Sequence, residues 1–385
     1  MIHPGGLGDV LLAVPAMGRL RTRFPHHRLV LCAEDQTARL LLACRIIDAW
    51  TSVQGRDCAD LFAGVDSVTG QVQTWLEDCD LAIGWTQDLD GKLNETLKAV
   101  GAREVIVRSP FSTAIRATHQ RDRFLETINE APSDDEADVL LTVTDPFLHL
   151  GRACLEAAGP SIGQSLVLIH PGSGSAHKCV APEILAAVVI ALQTSGATPV
   201  VLEGPADREP VEHLVQLCMN PPIVLKGLDV LTVAGVLAQA RLFVGQDSGV
   251  THMAGLMGVR TVALFGPTDP ARWAPRGAHV TVIQGAPCLC QSWGDVSRCE
   301  GKPCLAMPQD HLVALCLAHL KEAAVRERIA SGCLVTDYPV CYSDQFIFPF
   351  IGKDLGVIFC PAGSFRKRSP ARLSERSTGP KRRAN

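Results

Sequence analysis

Short apolar runs alternate with helix-period stretches along most of the chain, and two of these runs enclose a glycine-containing turn. Residues 241–245 form an apolar strand, the turn 247–249 (Asp-Ser-Gly) follows with its Asp or Ser as N-cap, and a helix is predicted as far as Met257. The next apolar strand is predicted over 261–265. A helix that begins at the carboxyl end of a strand turns unpaired N–H groups and a partial positive charge towards a cleft. The segment is therefore predicted to bind phosphate.

The same alternation continues on both sides of this segment. A βα repeat of this kind is typical of parallel sheets that are covered by helices on both faces. In the first half the predicted elements are helices over 9–24, 36–44 and 93–100 and strands over 28–32, 80–85 and 104–108. In the second half they are helices near 146–158 and over 182–193, 209–218, 231–240 and 309–329, and strands over 165–170, 199–202 and 223–225.

This pattern predicts an α/β protein with two Rossmann-like, doubly wound domains. We assign residues 1–155 to the first domain and 160–329 to the second, with the acidic, turn-rich segment 131–137 as a candidate linker. The tetrapeptide Ile-His-Pro-Gly occurs at 2–5 and again at 169–172, where it closes a full strand. The first strand of the first domain is therefore predicted to be shortened, with the natural start a few residues upstream.

Composition and charge indicate a globular protein of the cytoplasm. The 385 residues carry a formal net charge of −4, and no basic stripe with interleaved aromatics runs through the body of the chain, so nucleic acid is not an expected partner. The start has no basic and apolar signal segment, and the apolar runs are shorter than the about 20 residues that span a bilayer. Residues 330–385 form an atypical tail that is basic and predicted to be disordered from about residue 365; a membrane-surface or nucleic-acid arm is the alternative.

Fifteen cysteines are scattered through the predicted elements, which indicates reduced, buried thiols and not a disulfide framework. Four of them, Cys288, Cys290, Cys299 and Cys304, cluster in one loop. Their C-x-C-x8-C-x4-C spacing lacks the C-x2-C pair of common zinc sites, and metal binding and free or transiently paired thiols both stay open. Two D-x-D pairs at 78–80 and 88–90 lie at turn positions beside a predicted strand and are interpreted as structural.

A glycine-rich loop at the start of the chain is a candidate for chemistry. Gly5-Gly6-Leu7-Gly8-Asp9 leads into the first predicted helix. The carboxylate that ends it is either an N-cap or a general base that takes a proton from an acceptor hydroxyl.

Two loops of the second half are candidates for binding a donor. Residues 170–178 bring small residues such as Ser173 and the cation Lys178 after a strand, an arrangement that lets backbone N–H groups approach a phosphate. A solvated loop with a surface lysine is the alternative. Residues 203–209 (EGPADRE) place Asp207 or Glu209 where a carboxylate would hold ribose or simply begin a helix.

In these four segments the sequence resembles glycosyltransferase family 9, the ADP-heptose:lipopolysaccharide heptosyltransferases. The most specific match is GQDSGVTHMAGLMGVRTVALFGPTDPARWAPRG at 245–277, and GGLGDVLLAVPAMGRLRTRFP, HPGSGSAHKCVAPE and EGPADRE follow the family order. The resemblance covers roughly residues 2–325. It departs at Val180, where the family usually has tryptophan, and at Gln246, where the family has asparagine.

The resemblance implies a GT-B fold, with two Rossmann-like domains facing across a cleft, and inverting, metal-independent transfer of heptose from ADP-heptose to the lipopolysaccharide inner core. It implies no cofactor, a lipid-linked oligosaccharide acceptor and peripheral contact with the cytoplasmic face of the inner membrane. The resemblance implies that Asp9 is the catalytic base and that Gly5, Gly6 and Gly8 form its loop on the acceptor side. The implied donor-binding residues face this loop and are Ser173, Lys178, Glu209, Asp247, Ser248, Gly249 and His252.

Two other functions remain open on the sequence. A nucleotide-sugar epimerase with the same fold would need donor alone and no acceptor. A truncated, non-catalytic homologue would bind nucleotide without turnover.

Overall fold

The structure is a computed structural model, and it describes residues 1–110, 118–131, 141–159, 165–290 and 292–330. Residues 132–137 of the predicted linker and the predicted tail from residue 331 lie outside the described residues. All described residues belong to one unit, Met1–Leu334.

The first half contains two separate pairs of parallel strands joined by a single residue. Ile2 makes parallel bridges to Cys32 on one side and Gly84 on the other, so it occupies the central strand position between the pairs. Its N–H donates to the Ile83 carbonyl over 2.8 Å, and its own carbonyl accepts from Trp85 over 2.9 Å. The strands are β1 (Val30–Ala33), β2 (Ala49–Ser52), β3 (Leu81–Gly84) and β4 (Glu104–Val107), paired β1 with β2 and β3 with β4.

Helices follow the Ile2 position and the strands of the first half. The helix predicted over 9–24 is in fact two helices. Ala13 separates them, because Pro15 has no N–H to donate to the carbonyl one turn earlier. The helices of this part of the chain are α1 (Leu7–Leu12), α2 (Val14–Arg23), α3 (Asp35–Ala43), α4 (Arg56–Ala63), α5 (Gly70–Glu77), α6 (Lys92–Val100), α7 (Gln120–Thr127) and α8 (Asp145–Ala158).

The second half is built on a six-stranded parallel sheet. Its strands are β5 (Leu166–His170), β6 (Thr198–Glu203), β7 (Ile223–Lys226), β8 (Leu242–Gln246), β9 (Thr261–Phe265) and β10 (Val280–Gln284), in the order β10-β9-β8-β5-β6-β7. Its helices are α9 (Pro182–Thr194), α10 (Arg208–Leu217), α11 (Val230–Leu237), α12 (Gly249–Leu256), α13 (Pro270–Trp273), α14 (Trp293–Arg298) and α15 (Gln309–Ala330).

The strand order creates a crevice at the carboxyl ends of β5 and β8. The chain runs from β5 outward to β7, then returns to the other side of β5 and runs outward to β10. Helices on the two sides of this switch point diverge, which leaves an opening where α/β proteins bind ligands. His170 pairs with Gly245 in the register of these two strands, so the loops after both strands start at the same edge.

The two halves meet through α1 and α12, which pack against each other at the mouth of this crevice. Further contacts come from α7, where the Asp122 carboxylate lies 3.0 Å from the Arg276 guanidinium. The His119 ring nitrogen Nε2 lies 2.9 Å from the Ala274 carbonyl oxygen. Buried side chains from both halves form one continuous apolar cluster, so the facing loops are held by a shared core.

Candidate active site

A cleft of about 940 Å3 lies between the two halves at the carboxyl ends of β5 and β8. The first half contributes the start of α1, and the second half contributes the loops after β5, β6, β8 and β9 and the loop before α14. Predicted site residues that line it are Gly6, Gly8, Asp9, Ser173, Lys178, Asp247, Ser248, Gly249 and His252.

Two predicted site residues lie elsewhere. Glu209 is exposed in the first turn of α10 and does not line the cleft, so Asp207 is the acidic side chain that this loop brings to it. Gly5 lies behind the cleft, where an added Cβ would meet the Asp9 Cβ and the His3 ring, both at 2.8 Å. The absence of a side chain at Gly5 therefore leaves room for the Asp9 side chain and the His3 ring.

The start of α12 points into the cleft, as the sequence predicts. Ser248 occupies the N-cap position, but its side chain accepts no hydrogen bond from the first N–H groups of the helix. The hydroxyl lies instead 3.2 Å from His170 Nδ1 and 3.1 Å from Thr251 Oγ1. The first N–H groups of α12, at the end of the helix that carries partial positive charge, thus have no hydrogen bond from the side chain of their cap residue.

A chain of three side chains, two of them buried, runs below this helix start. Asp207 Oδ2 lies 2.8 Å from His170 Nε2, and both side chains are only 6% exposed. Asp207 also accepts from the Gly204 N–H over 2.9 Å. With Nε2–H donating to Asp207, the other ring nitrogen, Nδ1, can accept the Ser248 hydroxyl. The carboxylate therefore fixes the orientation of the serine through the imidazole.

The sequence signal for this chain is weak because it depends on close backbone approach. A Cβ on Gly172 would lie 1.7 Å from Asp207 Oδ1, and one on Gly204 would lie 2.6 Å from Oδ2. The two glycines thus form the cradle of the carboxylate. They occur in the quoted segments, but only the fold brings them to one point.

Lys178 forms the main ion pair of the cleft. Its Nζ lies 2.8 Å from Asp247 Oδ2, with the two side chains 22% and 8% exposed. The ammonium also lies 5.8 Å from the centre of the Trp293 ring, within the range of cation–π attraction. Ser173 donates its hydroxyl hydrogen to the Asp247 carbonyl over 2.6 Å, which fixes the turn that carries this carboxylate.

Asp9 faces this charged group from the opposite half. Burial raises the pKa of its carboxyl; the Gly6 N–H and the positive charge of Lys178 act in the opposite direction, and Asp247 raises the pKa further. A partly desolvated carboxylate with an elevated pKa is a suitable general base at neutral pH.

His252 lies under the contact between the halves. It is 6% exposed, and burial lowers the pKa of its imidazole to about 4. A Cβ on Gly8 would lie 3.2 Å from His252 Cδ2. His252 is therefore a neutral side chain against which the glycine loop packs.

The D-x-D pairs serve local structure, as interpreted from the sequence. Asp80 bonds His27 over 2.8 Å and pairs with Arg103, and Asp88 accepts the N–H groups of Leu93 and Asn94 at the start of α6. Neither pair is among the residues that line the cleft.

The two departures from the family pattern are in contact. Val180 is buried, and its N–H donates to Gln246 Oε1 over 3.4 Å. Gln246 is fully buried at the end of β8. Gln246, which is longer than the asparagine of the family, thus accompanies Val180, which is smaller than the tryptophan of the family.

Sequence comparison agrees with this architecture. The family described as glycosyltransferase family 9 (heptosyltransferase) matches residues 128–292. Lipopolysaccharide heptosyltransferase 3 of Escherichia coli is 34% identical over 128 residues, which is 32% of this chain and 37% of that protein. The protein of the same description from Escherichia coli strain K12 is 25% identical over 285 residues, which is 70% of this chain and 82% of that protein.

The chain is similar to glycosyltransferase family 9 over residues 128–292, which is less than half of its 385 residues. Among solved structures, the chain is similar to the glycosyl transferase family 9 structure from Veillonella parvula DSM 2008, with a TM-score of 0.71, 19% identity and coverage of 83% of this chain and 96% of that one. It is also similar to Escherichia coli ADP-heptose lps heptosyltransferase II, with a TM-score of 0.65, 15% identity and coverage of 85% and 98%. The predicted α/β, GT-B fold is thereby confirmed.

Several cleft residues were not found by sequence reasoning. Thr268, Asp269, Arg272 and Trp273 follow β9, and Trp293 comes from the cysteine-containing loop. The first four lie inside the segment that carries the family resemblance, so this motif could have indicated that the loop after β9 contributes to the cleft. The sequence contains no indication for Trp293, since no repeat or motif relates it to Lys178.

None of the helices within the described residues combines the length and the apolar character that a membrane span requires.

Proposed function

We propose that this protein transfers heptose from ADP-heptose to the inner core of lipopolysaccharide, with inversion at the transferred carbon and without a catalytic metal. The single observation that carries the proposal is the arrangement of the cleft. A partly buried carboxylate, Asp9, on one half faces a lysine and a helix N-terminus on the other. The lipopolysaccharide heptosyltransferase relatives support the choice of sugar and acceptor.

In the proposed reaction, the acceptor hydroxyl oxygen attacks the anomeric carbon of the heptose. The bond from that carbon to the phosphate oxygen breaks, ADP leaves with the bonding electrons, and the hydroxyl proton passes to Asp9. Inversion needs one base on the side opposite the leaving group. Asp9 is the carboxylate that the first half brings to the cleft.

The developing charge on ADP would be met by Lys178 and by the start of α12. Lys178 is paired with Asp247, so an incoming diphosphate competes with this carboxylate for the ammonium. Asp247 then holds the lysine in the cleft between turnovers. Ser248, oriented by His170, provides a hydroxyl beside the same helix start.

The acceptor is carried by a lipid, so we propose that the protein acts at the cytoplasmic face of the inner membrane as a peripheral protein. A screen of nucleotide-heptose donors against truncated lipopolysaccharide acceptors, read by mass spectrometry, tests the proposal. The expected product is one heptose heavier than its acceptor and depends on both substrates.

The same screen separates the alternatives. Conversion of the donor in the absence of acceptor would identify an epimerase. ADP binding without turnover on any acceptor would identify a non-catalytic homologue. Either result overturns the proposed transfer.

A further inference from the structure

Four cysteines outside the proposed chemistry come together in the loop between β10 and α15. Cys288 Sγ lies 3.0 Å from Cys290 Sγ and 3.9 Å from Cys299 Sγ, and the three sulfurs lie within 4.8 Å of one another. Cys304 lies near this group, since burial raises the pKa of its thiol and the neighbouring Cys288 and Cys299 raise it further. Three thiols that are separated along the sequence thus lie close together, with a fourth cysteine nearby.

These separations match metal coordination better than a disulfide. A disulfide holds its sulfurs about 2.05 Å apart. Thiolates bound tetrahedrally to zinc lie about 2.3 Å from the ion, which places them about 3.8 Å from each other. The sulfur separations here are 3.0 Å and 3.9 Å from Cys288 to the other two cysteines and no more than 4.8 Å between those two, and they lie around the tetrahedral value.

The loop has little else to hold it in place. Leu289 is 93% exposed, and Val296 is the one buried residue of α14. Its ends are tied together by the Gly285 N–H, which donates to the Cys304 carbonyl over 2.9 Å. Cys304 itself is 3% exposed and packs in the apolar core with Leu305. Cys304 is therefore anchored in the core and Cys288 packs against its edge, whereas Cys290 and Cys299 lie on a segment with almost no core of its own.

We propose that Cys288, Cys290, Cys299 and Cys304 bind one zinc ion in a structural tetrathiolate site. All four ligands are soft sulfur atoms, a set that favours zinc over magnesium or calcium. Binding requires the thiolate forms, so four protons leave as the metal enters. Four protein ligands leave no open position, so the ion would be structural and would take no part in sugar transfer.

The position of the site gives it a consequence for the cleft. Cys290, Ser292, Trp293 and Val296 line the cleft, and Trp293 lies over Lys178. A metal that fixes this loop also fixes the aromatic ring against the ammonium. The Arg298 side chain is already 76% exposed, so loss of the metal is expected to loosen the backbone of the loop and to speed tryptic cleavage after this residue.

The test measures metal directly and needs no knowledge of the donor or acceptor. The full chain is purified under reducing conditions without metal-affinity resin or chelator, and its metal content is measured by plasma mass spectrometry. About one zinc per chain is expected. Cys288→Ser and Cys299→Ser are expected to lose it, and Cys154→Ser, which changes a half-buried thiol of α8, is expected to keep it.

A second measurement uses the wild-type chain alone, so it does not depend on the folding of variants. Zinc is removed with a chelator and Co2+ is added. Visible bands and a near-ultraviolet thiolate charge-transfer band typical of tetrahedral sulfur coordination are expected, together with slower tryptic cleavage of the loop. Wild-type metal content no higher than that of Cys288→Ser overturns the proposal, as does a disulfide among these four cysteines in the reduced preparation. Stoichiometric iron overturns the assignment to zinc.

Discussion

Gly249 at the start of α12 lies against Gly8 at the start of α1, so the two helices that carry the proposed donor and acceptor groups touch at their first turns. A Cβ on Gly249 would lie 3.0 Å from the Gly8 nitrogen and 2.9 Å from the Leu7 Cβ. A Cβ on Gly8 would lie 3.3 Å from the Gly249 Cα. Because Asp9 follows Gly8 directly, this contact sets how far the base lies from the donor half.

Gly249→Ala is expected to push α1 away from α12 and to lower the rate of transfer by roughly 10- to 100-fold, since displacement of a catalytic group by about 1 Å is enough for such a loss. The measurement is initial rate with saturating donor. Gly301→Ala is the matched control, because a Cβ there meets nothing within 4 Å. Equal rates for the two variants would contradict a role for the glycine contact.

Asp9→Asn is expected to lower the rate of transfer by about 100- to 10,000-fold, the usual contribution of a general base. The affinity for ADP, measured by calorimetry, should change little, since the amide keeps the shape of the side chain. Asp145→Asn, in the first turn of α8, is the control for a helix-start carboxylate. Unchanged turnover in Asp9→Asn would remove Asp9 from the mechanism.

The pH profile of transfer should report the environment of Asp9. The base acts when deprotonated, so the rate rises with pH through its pKa, and burial raises that pKa above the ordinary value of 3.8. Lys178 lowers and Asp247 raises the pKa of Asp9. The acid limb of the kcat profile should therefore move to higher pH in Lys178→Ala and to lower pH in Asp247→Asn. Shifts in the opposite directions would be inconsistent with this electrostatic coupling.

Asp207→Ala is expected to destabilise the protein by roughly 1–3 kcal/mol, because His170 and the Gly204 N–H lose their buried acceptor. ADP affinity should fall with it, since Ser248 is no longer oriented. Asp207→Asn keeps an acceptor oxygen and should retain most of both properties. Urea denaturation and calorimetry measure the two effects. Equal losses in the two variants would show that charge, and not hydrogen bonding, is the contribution of Asp207.

Stability should fall steeply on mild acidification. Burial lowers the pKa of His3, His119 and His252 from 6.5 to about 4, so these side chains stay neutral in the folded protein and become protonated on unfolding. Between pH 6.5 and about 4 the unfolded chain binds up to three more protons. Where the difference is complete, this corresponds to a loss of at most about 4 kcal/mol of unfolding free energy per pH unit. Well above pH 6.5 the three side chains are neutral in both states and add no pH dependence.

The midpoint of urea denaturation, followed from pH 7 to pH 5, measures this effect. His119→Gln should have a shallower dependence, and His311→Gln, which changes an exposed histidine, should keep the wild-type slope. A flat profile for the wild-type protein would mean that these histidines are not buried in the neutral form.

Much of the second half follows from its sequence. The strand over 261–265 agrees with β9, and the strands predicted near β5, β6, β7 and β8 are each within a residue or two of the observed bounds. Buried parallel strands are continuous apolar runs between glycine and polar turns, so local composition is enough to find them. The elements of the first half were harder to predict from the sequence. Strand β2 and helices α4, α5 and α7 were missed, since their patterns are short or only partly apolar.

The sequence by itself determined the α/β class, the βα alternation of the elements it predicted and most of the candidate site residues, because these depend on local periodicity and on motifs whose members are close along the chain. Tertiary structure decided which of those residues act together. It placed Asp207 and not Glu209 beside the cleft, paired Lys178 with Asp247, and brought Trp293 over that lysine. It also brought together Cys288, Cys290 and Cys299, whose role the spacing alone left ambiguous. Such contacts depend on how close backbones approach across the sheet switch point and between α1 and α12. Glycines at these places allow the backbones to approach closely, and this function can be recognised only when the two distant segments are seen together in the fold.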